Sequence, residues 1–241
     1  MKKIEKSSMT FLEHLDELRK RIIYSLIAIL IAFMICWAYS KQIFNYIVAP
    51  AIIFINPSGK LSFLTIPEPF ILYMKIAFLA SLFLVSPFIL TQLWLFISPG
   101  LYEKEKLFAI PFILSASIFF IGGGAFGYFV IFPLTCKFLL SYGQGLNAVI
   151  RVSDYFSFFS KVLLAVALIF EMPVVAFFLA KFRLLHYKFL LKQFKYAVLI
   201  IFIIAAIITP STDAITQTIL AIPMTGLYLI SILVVWIVNP K

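Results

Sequence analysis

Long apolar runs separated by short charged stretches set the pattern of this chain. Ile22–Tyr39 carries no charge over 18 residues, Ile76–Tyr102 over 27 and Leu107–Cys136 over 30. Val162–Ala180 holds one charge, Glu171, while Tyr196–Thr212 and Ala214–Pro240 are again charge-free. A helix needs ~20 apolar residues to cross ~30 Å of hydrocarbon. Backbone polar groups must be satisfied within the segment there, so each run reads as a helix. The pattern predicts six spans, at approximately 22–39, 70–97, 107–135, 155–180, 196–209 and 215–238. The fifth, from Tyr196 to Thr209, reaches only ~21 Å at 1.5 Å per residue. Pro210 and Pro223 interrupt the last pair, so both are read as short spans, with a re-entrant hairpin as the alternative. The expected fold class is an all-α membrane protein, one integral membrane domain over residues 1–241.

The segments between spans are small. Residues 1–21 form a cytoplasmic amphipathic segment in this reading. Thr10 and Glu13 have capping-box spacing, and Phe11, Leu15, Leu18 and Ile22 fall on one helical stripe. The first apolar run starts only after this charged stretch and has no small-residue cleavage site behind it, unlike a cleavable signal peptide. Residues 40–69 contain Pro50, Pro57, Pro67 and Pro69, too many for one helix, although Lys41–Ala49 suits a short interfacial one. A further loop spans about 138–154, with Ser153 or Asp154 expected to cap the fourth span.

Composition supports the membrane reading. Hydrophobic residues make up 63% of the 241, charged residues 12%, and mean hydropathy is +1.09, an apolar excess beyond what a soluble core of this length buries. The net charge of +10 comes from bases that flank the apolar runs, which argues for topology and anionic lipid headgroups rather than nucleic acid. With the N-terminus inside, 14 Lys and Arg fall on the cytoplasmic side and 6 on the other. Both termini are therefore expected in the cytoplasm.

Candidate chemistry is sparse. No nucleotide-binding, metalloprotease or nucleophile-elbow motif is present. Cys36 and Cys136 lack metal or redox spacing and suit packing, and His14 and His186 have no partner ligand nearby. Neither cofactor nor metal is expected. Gly122–Gly123–Gly124, inside an apolar run, suits close helix packing or a flexible point better than a phosphate cradle. Two acidic groups border the membrane. In one, Asp16 and Glu17 stand four residues before Lys20 and Arg21, the spacing of self-paired helix charges. In the other, Glu103–Lys104–Glu105–Lys106 fills a tight turn. Glu171 is the one acid deep in a span, and Pro173 frees the carbonyl of Ile169, which Glu171 could satisfy locally. A six-span secondary transporter or channel fits these features too, though no internal repeat supports it. A membrane enzyme lacks a nucleophile or ligand set.

Five blocks follow one another in order: HLDELRKRI at 14–22, PFILTQLWLFISPGLYEKEK at 87–106, FGYFVIFPL at 126–134, FEMPV at 170–174 and TPSTDAITQTILAIP at 209–223. Together they resemble the TatC family, the multi-span receptor subunit of the twin-arginine (Sec-independent) protein translocase. The resemblance implies a cupped six-helix fold in the bacterial cytoplasmic (inner) membrane. It implies binding of twin-arginine signal peptides of folded cargo at the cytoplasmic face. It further implies assembly with TatA- and TatB-type single-span subunits, and of several copies in a larger complex. Export is then driven by the proton gradient, with no enzymatic activity in this subunit. Carried over by position, the signal-peptide-binding residues are Glu17, Arg19, Arg21, Phe96 and Glu105, with Glu103 an extra acid beside it. Glu171, Asp213 and Gln217 match the family's intramembrane and last-loop polar residues that meet partner helices, and Pro50 matches a structural proline of the first outer loop. The family often has one acid followed by arginine where this chain has Glu103–Lys104–Glu105–Lys106, so either glutamate can be the one facing the ligand.

Overall fold

The computed structural model describes residues 11–52, 61–100, 106–143, 149–209 and 213–239. Among these the protein is helical apart from loops and one isolated bridge between Ser62 and Arg151. The helices are α1 (Phe11–Ala38), α2 (Ser40–Ile52), α3 (Glu68–Ile97), α4 (Ala109–Phe126), α5 (Phe132–Ser141), α6 (Val152–Phe170), α7 (Met172–Lys181), α8 (Tyr187–Lys192), α9 (Phe194–Ile208) and α10 (Ala214–Val238). A π-helical turn, Gly127–Ile131, joins α4 to α5, so the two run as one 33-residue apolar helix. Five helical stretches are long and apolar enough to span a membrane, and α9 is a shorter sixth. The expected all-α architecture is present.

Several local expectations change. The amphipathic N-terminal stripe is not a separate element: no Gly or Pro intervenes, and α1 runs unbroken from it into the first apolar run. Pro50 lies within the bounds of α2 rather than in a loop. Ser153 and Asp154 do not cap α6, because Arg151 takes the N-cap position and both fall in the first turn. The last helix is not short, since α10 continues through Pro223 for 25 residues. At ~37 Å it is long enough to span the hydrocarbon, so a hairpin is not required by length. Thr10, Glu103, Glu105 and Pro210 lie outside the described residues.

Proline explains much of the local geometry. Pro87 lies inside α3 and cannot donate to the carbonyl of Phe83. The Ser86 hydroxyl donates to that carbonyl instead, at 2.8 Å. Pro173 has a sharper effect: the helix breaks at Glu171, which ends α6 and precedes α7.

The helices run alternately between two faces. The near face holds the start of α1, the ends of α3 and α7, and α8. The far face holds α2, the start of α3, the end of α5 and the start of α6. The main packing partners are α1 with α3, α4 with α6, and α7 with α10. The largest core cluster gathers Phe132, Tyr155 and Phe159 with Ile76 and Val162. Phe132 sits edge-on to Tyr155 and Phe159 at 5.3 and 5.0 Å between centroids. Lipid is as apolar as these side chains, so close contact rather than water exclusion holds them together.

Hydrogen bonds tie the far-face loops to this core. Tyr155 donates to the carbonyl of Ile47 at 2.8 Å and Tyr128 to that of Tyr46, fixing α2 across the bundle. Ser62 N–H donates to Ile150 O at 3.0 Å, and Val152 N–H returns to Ser62 O at 2.8 Å.

The glycine triplet is divided in its use. A Cβ on Gly123 would stand 2.9 Å from the Cα of Ala167 and 2.7 Å from the Cβ of Phe170, while one on Gly124 would meet the Phe83 ring. Gly122 faces open space. Backbone at Ala167 cannot yield cheaply. Gly123→Val should therefore destabilise the α4–α6 contact by ~1–3 kcal/mol. Gly122→Ala should be neutral or slightly stabilising, through helix propensity. Thermal unfolding midpoints of the two variants in detergent check the contrast, and equal midpoints would refute the close-packing role.

Candidate functional site

At the near face, the start of α1 crosses the end of α3. Glu17 and Arg21 are one turn apart on α1, and the Arg21 guanidinium donates to Glu17 Oε1 at 3.1 Å. The same guanidinium donates to Oε1 of Gln92, a buried residue of α3, at 3.3 Å. Two of the group's polar atoms are buried without a partner among the described residues: Glu17 Oε2 and Arg21 Nε. One turn earlier His14 stacks on Phe96, with ring centroids 4.4 Å apart and planes 18° from parallel. Trp94, Phe112 and Phe178 pack beneath as an aromatic floor that anchors the end of α3. Lys181 lies over the Phe108 ring at 5.3 Å.

The structure thus brings Glu17, Arg21 and Phe96 to one place and adds His14 and Gln92. Sequence reading missed both. His14 had been weighed only as a metal ligand, and no group of metal-ligating residues exists among the described residues. Gln92 carried one available signal, as a polar side chain inside an otherwise apolar run. Arg19 is exposed and takes no part in the cluster's hydrogen bonds, and Asp16 does not pair with Lys20 among the described residues. The arrangement holds a buried carboxylate oxygen with spare acceptor capacity one turn from the His14–Phe96 stack. That combination suits a guanidinium, which can bond a carboxylate and lie against a ring.

Glu171 sits at the break between α6 and α7. Its Oε1 is buried and its side chain makes no hydrogen bond with the described residues, so it does not satisfy the Ile169 carbonyl. A carboxyl left unpaired inside an apolar bundle is costly. Asp213 is already engaged: it caps α10, with Oδ2 accepting from Thr216 N–H at 2.8 Å and Oδ1 accepting from the Thr216 hydroxyl. Gln217, in the next turn, is half-buried. These two lie near the far face, apart from the Glu17 cluster.

The far face holds a polar site that sequence reading did not find. Glu68 is buried, and its carboxylate accepts from Arg151 Nε at 2.9 Å and Nη2 at 3.3 Å. It also accepts from the backbone N–H groups of Leu64 at 2.9 Å and Thr65 at 3.3 Å. Hydrogen bonding to Glu68 raises the Arg151 guanidinium above its ordinary pKa. The pair joins the start of α3 to the start of α6 across a separation in sequence that pattern reading cannot bridge. Its only trace was an acid held between Pro67 and Pro69.

Comparison with known proteins fits this geometry. The family described as "Sec-independent protein translocase protein (TatC)" matches residues 13–223. A protein of that name from Koribacter versatilis is 42% identical over 236 residues, covering 97% of this chain and 87% of the relative. Its Campylobacter jejuni namesake is 42% identical over 230 residues, covering 94% of each. The crystal structure of a "Twin Arginine Translocase Receptor- TatC" superposes with a TM-score of 0.85 at 38% identity, covering 94% of this chain and 99% of that one. The chain belongs to the TatC family, multi-pass bacterial inner-membrane components of the twin-arginine protein translocase that transport proteins and are not enzymes.

Proposed function

We propose that this protein is the receptor subunit of the translocase. It binds the twin-arginine signal peptides of folded cargo at the near face and exports the cargo with TatA- and TatB-type single-span subunits, driven by the proton gradient. The observation that carries the reading is Glu17: one carboxylate oxygen bonds Arg21 while the other, buried, has no partner. An incoming guanidinium would need the side chains that cover this oxygen to move aside, but would break no hydrogen bond the oxygen already makes among the described residues. Phe96, held by His14, offers the flat surface beside it. Glu103 and Glu105 are assigned as further carboxylates for the arginine pair in this reading, set among the bases of the same face. Arg19 serves as an exposed base of the same motif, and Pro50 shapes α2 at the far face.

The near face is cytoplasmic in this proposal, following the distribution of bases. Single cysteines at positions 106 and 188, in a Cys-free background, should resist a membrane-impermeant thiol reagent in intact cells and react after permeabilisation. Labelling in intact cells would invert the topology.

Signal-peptide binding should depend on the acids. Glu17→Gln should weaken capture of a twin-arginine peptide by about tenfold, the worth of one charge-assisted hydrogen bond, and Glu17→Lys or Glu105→Lys by more through repulsion. A twin-lysine peptide should bind more weakly and respond less to Glu17→Gln, because an ammonium cannot make the bidentate contact. Peptide titration by fluorescence anisotropy measures both, and unchanged binding in Glu17→Gln together with Glu105→Gln would sink the proposal.

Glu171 is assigned in the same reading to a polar group on a partner helix, with Asp213 and Gln217 contributing a second polar position near the far face. Interhelical polar contacts in lipid are worth ~0.6–1.7 kcal/mol. Glu171→Ala should leave folding and peptide binding intact and lower partner-helix cross-linking about three- to tenfold. Glu171→Gln should retain more cross-linking than Glu171→Ala. Normal cross-linking and export in Glu171→Ala would remove this role.

A further inference from the structure

We propose that the groove between α1, α3 and α6 holds one anionic phospholipid of the far-face leaflet, its phosphate on Lys75 and an acyl chain along the apolar wall. The groove encloses about 710 Å3. Its polar lining is confined to one end, where Lys75 of α3 faces Ser157 and Ser160 of α6. Below them the walls are wholly apolar, down to Leu26, Leu82 and Leu164.

Depth matches a single leaflet. Lys75 stands seven residues from the far-face end of α3, ~10 Å along the axis. Its long stem lets the ammonium reach upward toward the headgroup region. Ser157 and Ser160 lie five and eight residues into α6, ~8–12 Å from its far end. Leu82 and Leu164 lie fourteen and twelve residues in, ~18–21 Å, just past the bilayer midplane. A groove that ends there accommodates the chain of one leaflet's lipid. A partner's transmembrane helix would need a seat through both leaflets.

Charge selects the headgroup. Lys75 is exposed and has no ion pair among the described residues. The nearest acid, Glu68, lines a small adjoining pocket with Lys75, but both its oxygens are occupied by Arg151 and the backbone of Leu64 and Thr65. Lys161, also exposed, lies one turn beyond Ser157 on the bordering face of α6. Counting Asp154, the region carries Lys75, Arg151 and Lys161 against Glu68 and Asp154, a net of +1. The Ser160 hydroxyl donates to the carbonyl of Ser157 at 3.1 Å, while the Ser157 hydroxyl makes no hydrogen bond with the described residues and is available to a phosphate oxygen. A second groove, about 610 Å3 and lined by α3, α4 and α6 among others, has no charged residue in its wall. It can hold an acyl chain with no choice of headgroup and serves as an internal control.

The test is retention of lipid by the whole protein. The purified chain is reconstituted in phosphatidylcholine vesicles containing a minor share of phosphatidylglycerol, re-extracted in mild detergent, and examined by native mass spectrometry. The wild type should keep phosphatidylglycerol in preference to phosphatidylcholine. Lys75→Gln should lower that preference about fivefold, the effect of one lysine at an anionic surface. Lys75→Arg should preserve it, and so should Lys137→Gln, which removes an exposed far-face lysine outside the groove. Leu30→Trp, which fills the apolar wall, should reduce phosphatidylglycerol retention while leaving Lys75 in place. Soluble glycerol phosphate should not displace the lipid. An unchanged preference in Lys75→Gln overturns the proposal. So does displacement by glycerol phosphate, which would mean an ion site without a chain. Capture of a protein rather than a lipid by a photo-crosslinker at Phe78 in native membranes overturns it as well, since the groove would then be a helix seat. None of these outcomes depends on signal-peptide binding.

Discussion

Polar groups that enter hydrocarbon must find a partner inside the protein, and the rest of this structure follows from how each one does so. The hydroxyls of Ser81, Ser86, Ser117, Thr135 and Ser231 all donate to carbonyls three or four residues back on their own helices. They are thereby neutral toward packing and leave apolar surfaces free to meet. Ser86 goes further by occupying a carbonyl that a proline vacated. Against this background of local satisfaction, the atoms that stay unsatisfied are few. Among the described residues they include Glu17 Oε2 and Glu171 Oε1. One lies at the near face and one at a helix break, each on an element fixed by aromatic packing.

The two faces meet the constraint differently. The far face is closed by cross-links: Glu68 to Arg151, Tyr155 to Ile47, and the backbone exchange between Ser62 and its neighbours at Ile150 and Val152. Each joins segments far apart in sequence, so together they set the spacing of α2, α3 and α6. At the near face, among the described residues, Tyr228 of α10 donates to the Leu190 carbonyl of α8 at 2.8 Å. There α1 and α3 are joined by a single long side-chain bridge, Arg21 to Gln92, and by the His14–Phe96 stack. The far-face ties hold the helices in register, and the α1–α3 crossing lies at the opposite end, where the proposed ligand would bind.

The helices were legible because lipid leaves the backbone no alternative: a charge-free run of sufficient length has one solution. The break at Glu171 was legible in part, since Pro173 announced a lost hydrogen bond, but sequence left open whether Glu171 repairs it locally or faces a partner, and its Oε1 is unpaired among the described residues. Boundaries set by capping were less legible. Ser153 and Asp154 looked like caps, yet α6 begins at Val152, whose N–H bonds Ser62, two residues earlier than a Ser153 cap allows and three earlier than an Asp154 cap. The Glu17–Arg21 pair could be read from its spacing, whereas Gln92 and Phe96 joined it only through the α1–α3 crossing. Glu68 and Arg151 were invisible for the same reason, because no local pattern links residues so far apart.

The short helix α9 carries the constraint to the bilayer itself. Its 15 residues extend ~22 Å, against ~30 Å of hydrocarbon. It packs against α10, whose 25 residues are long enough to span, so the two cannot both match one bilayer thickness. Tilting α9 would shorten its reach further. The remaining accommodation is a local thinning of the bilayer on the α9 side or coverage by neighbouring protein, at a cost of fractions of a kcal/mol per ångström of mismatch. Asp213 sits at the turn between the two helices and caps α10 rather than facing lipid. A charged cap at that position needs water or headgroups within reach, and the ~37 Å length of α10 is enough to carry it to the membrane surface. The short reach of α9 and the capped start of α10 at Asp213 fall at the same, far-face end of the pair.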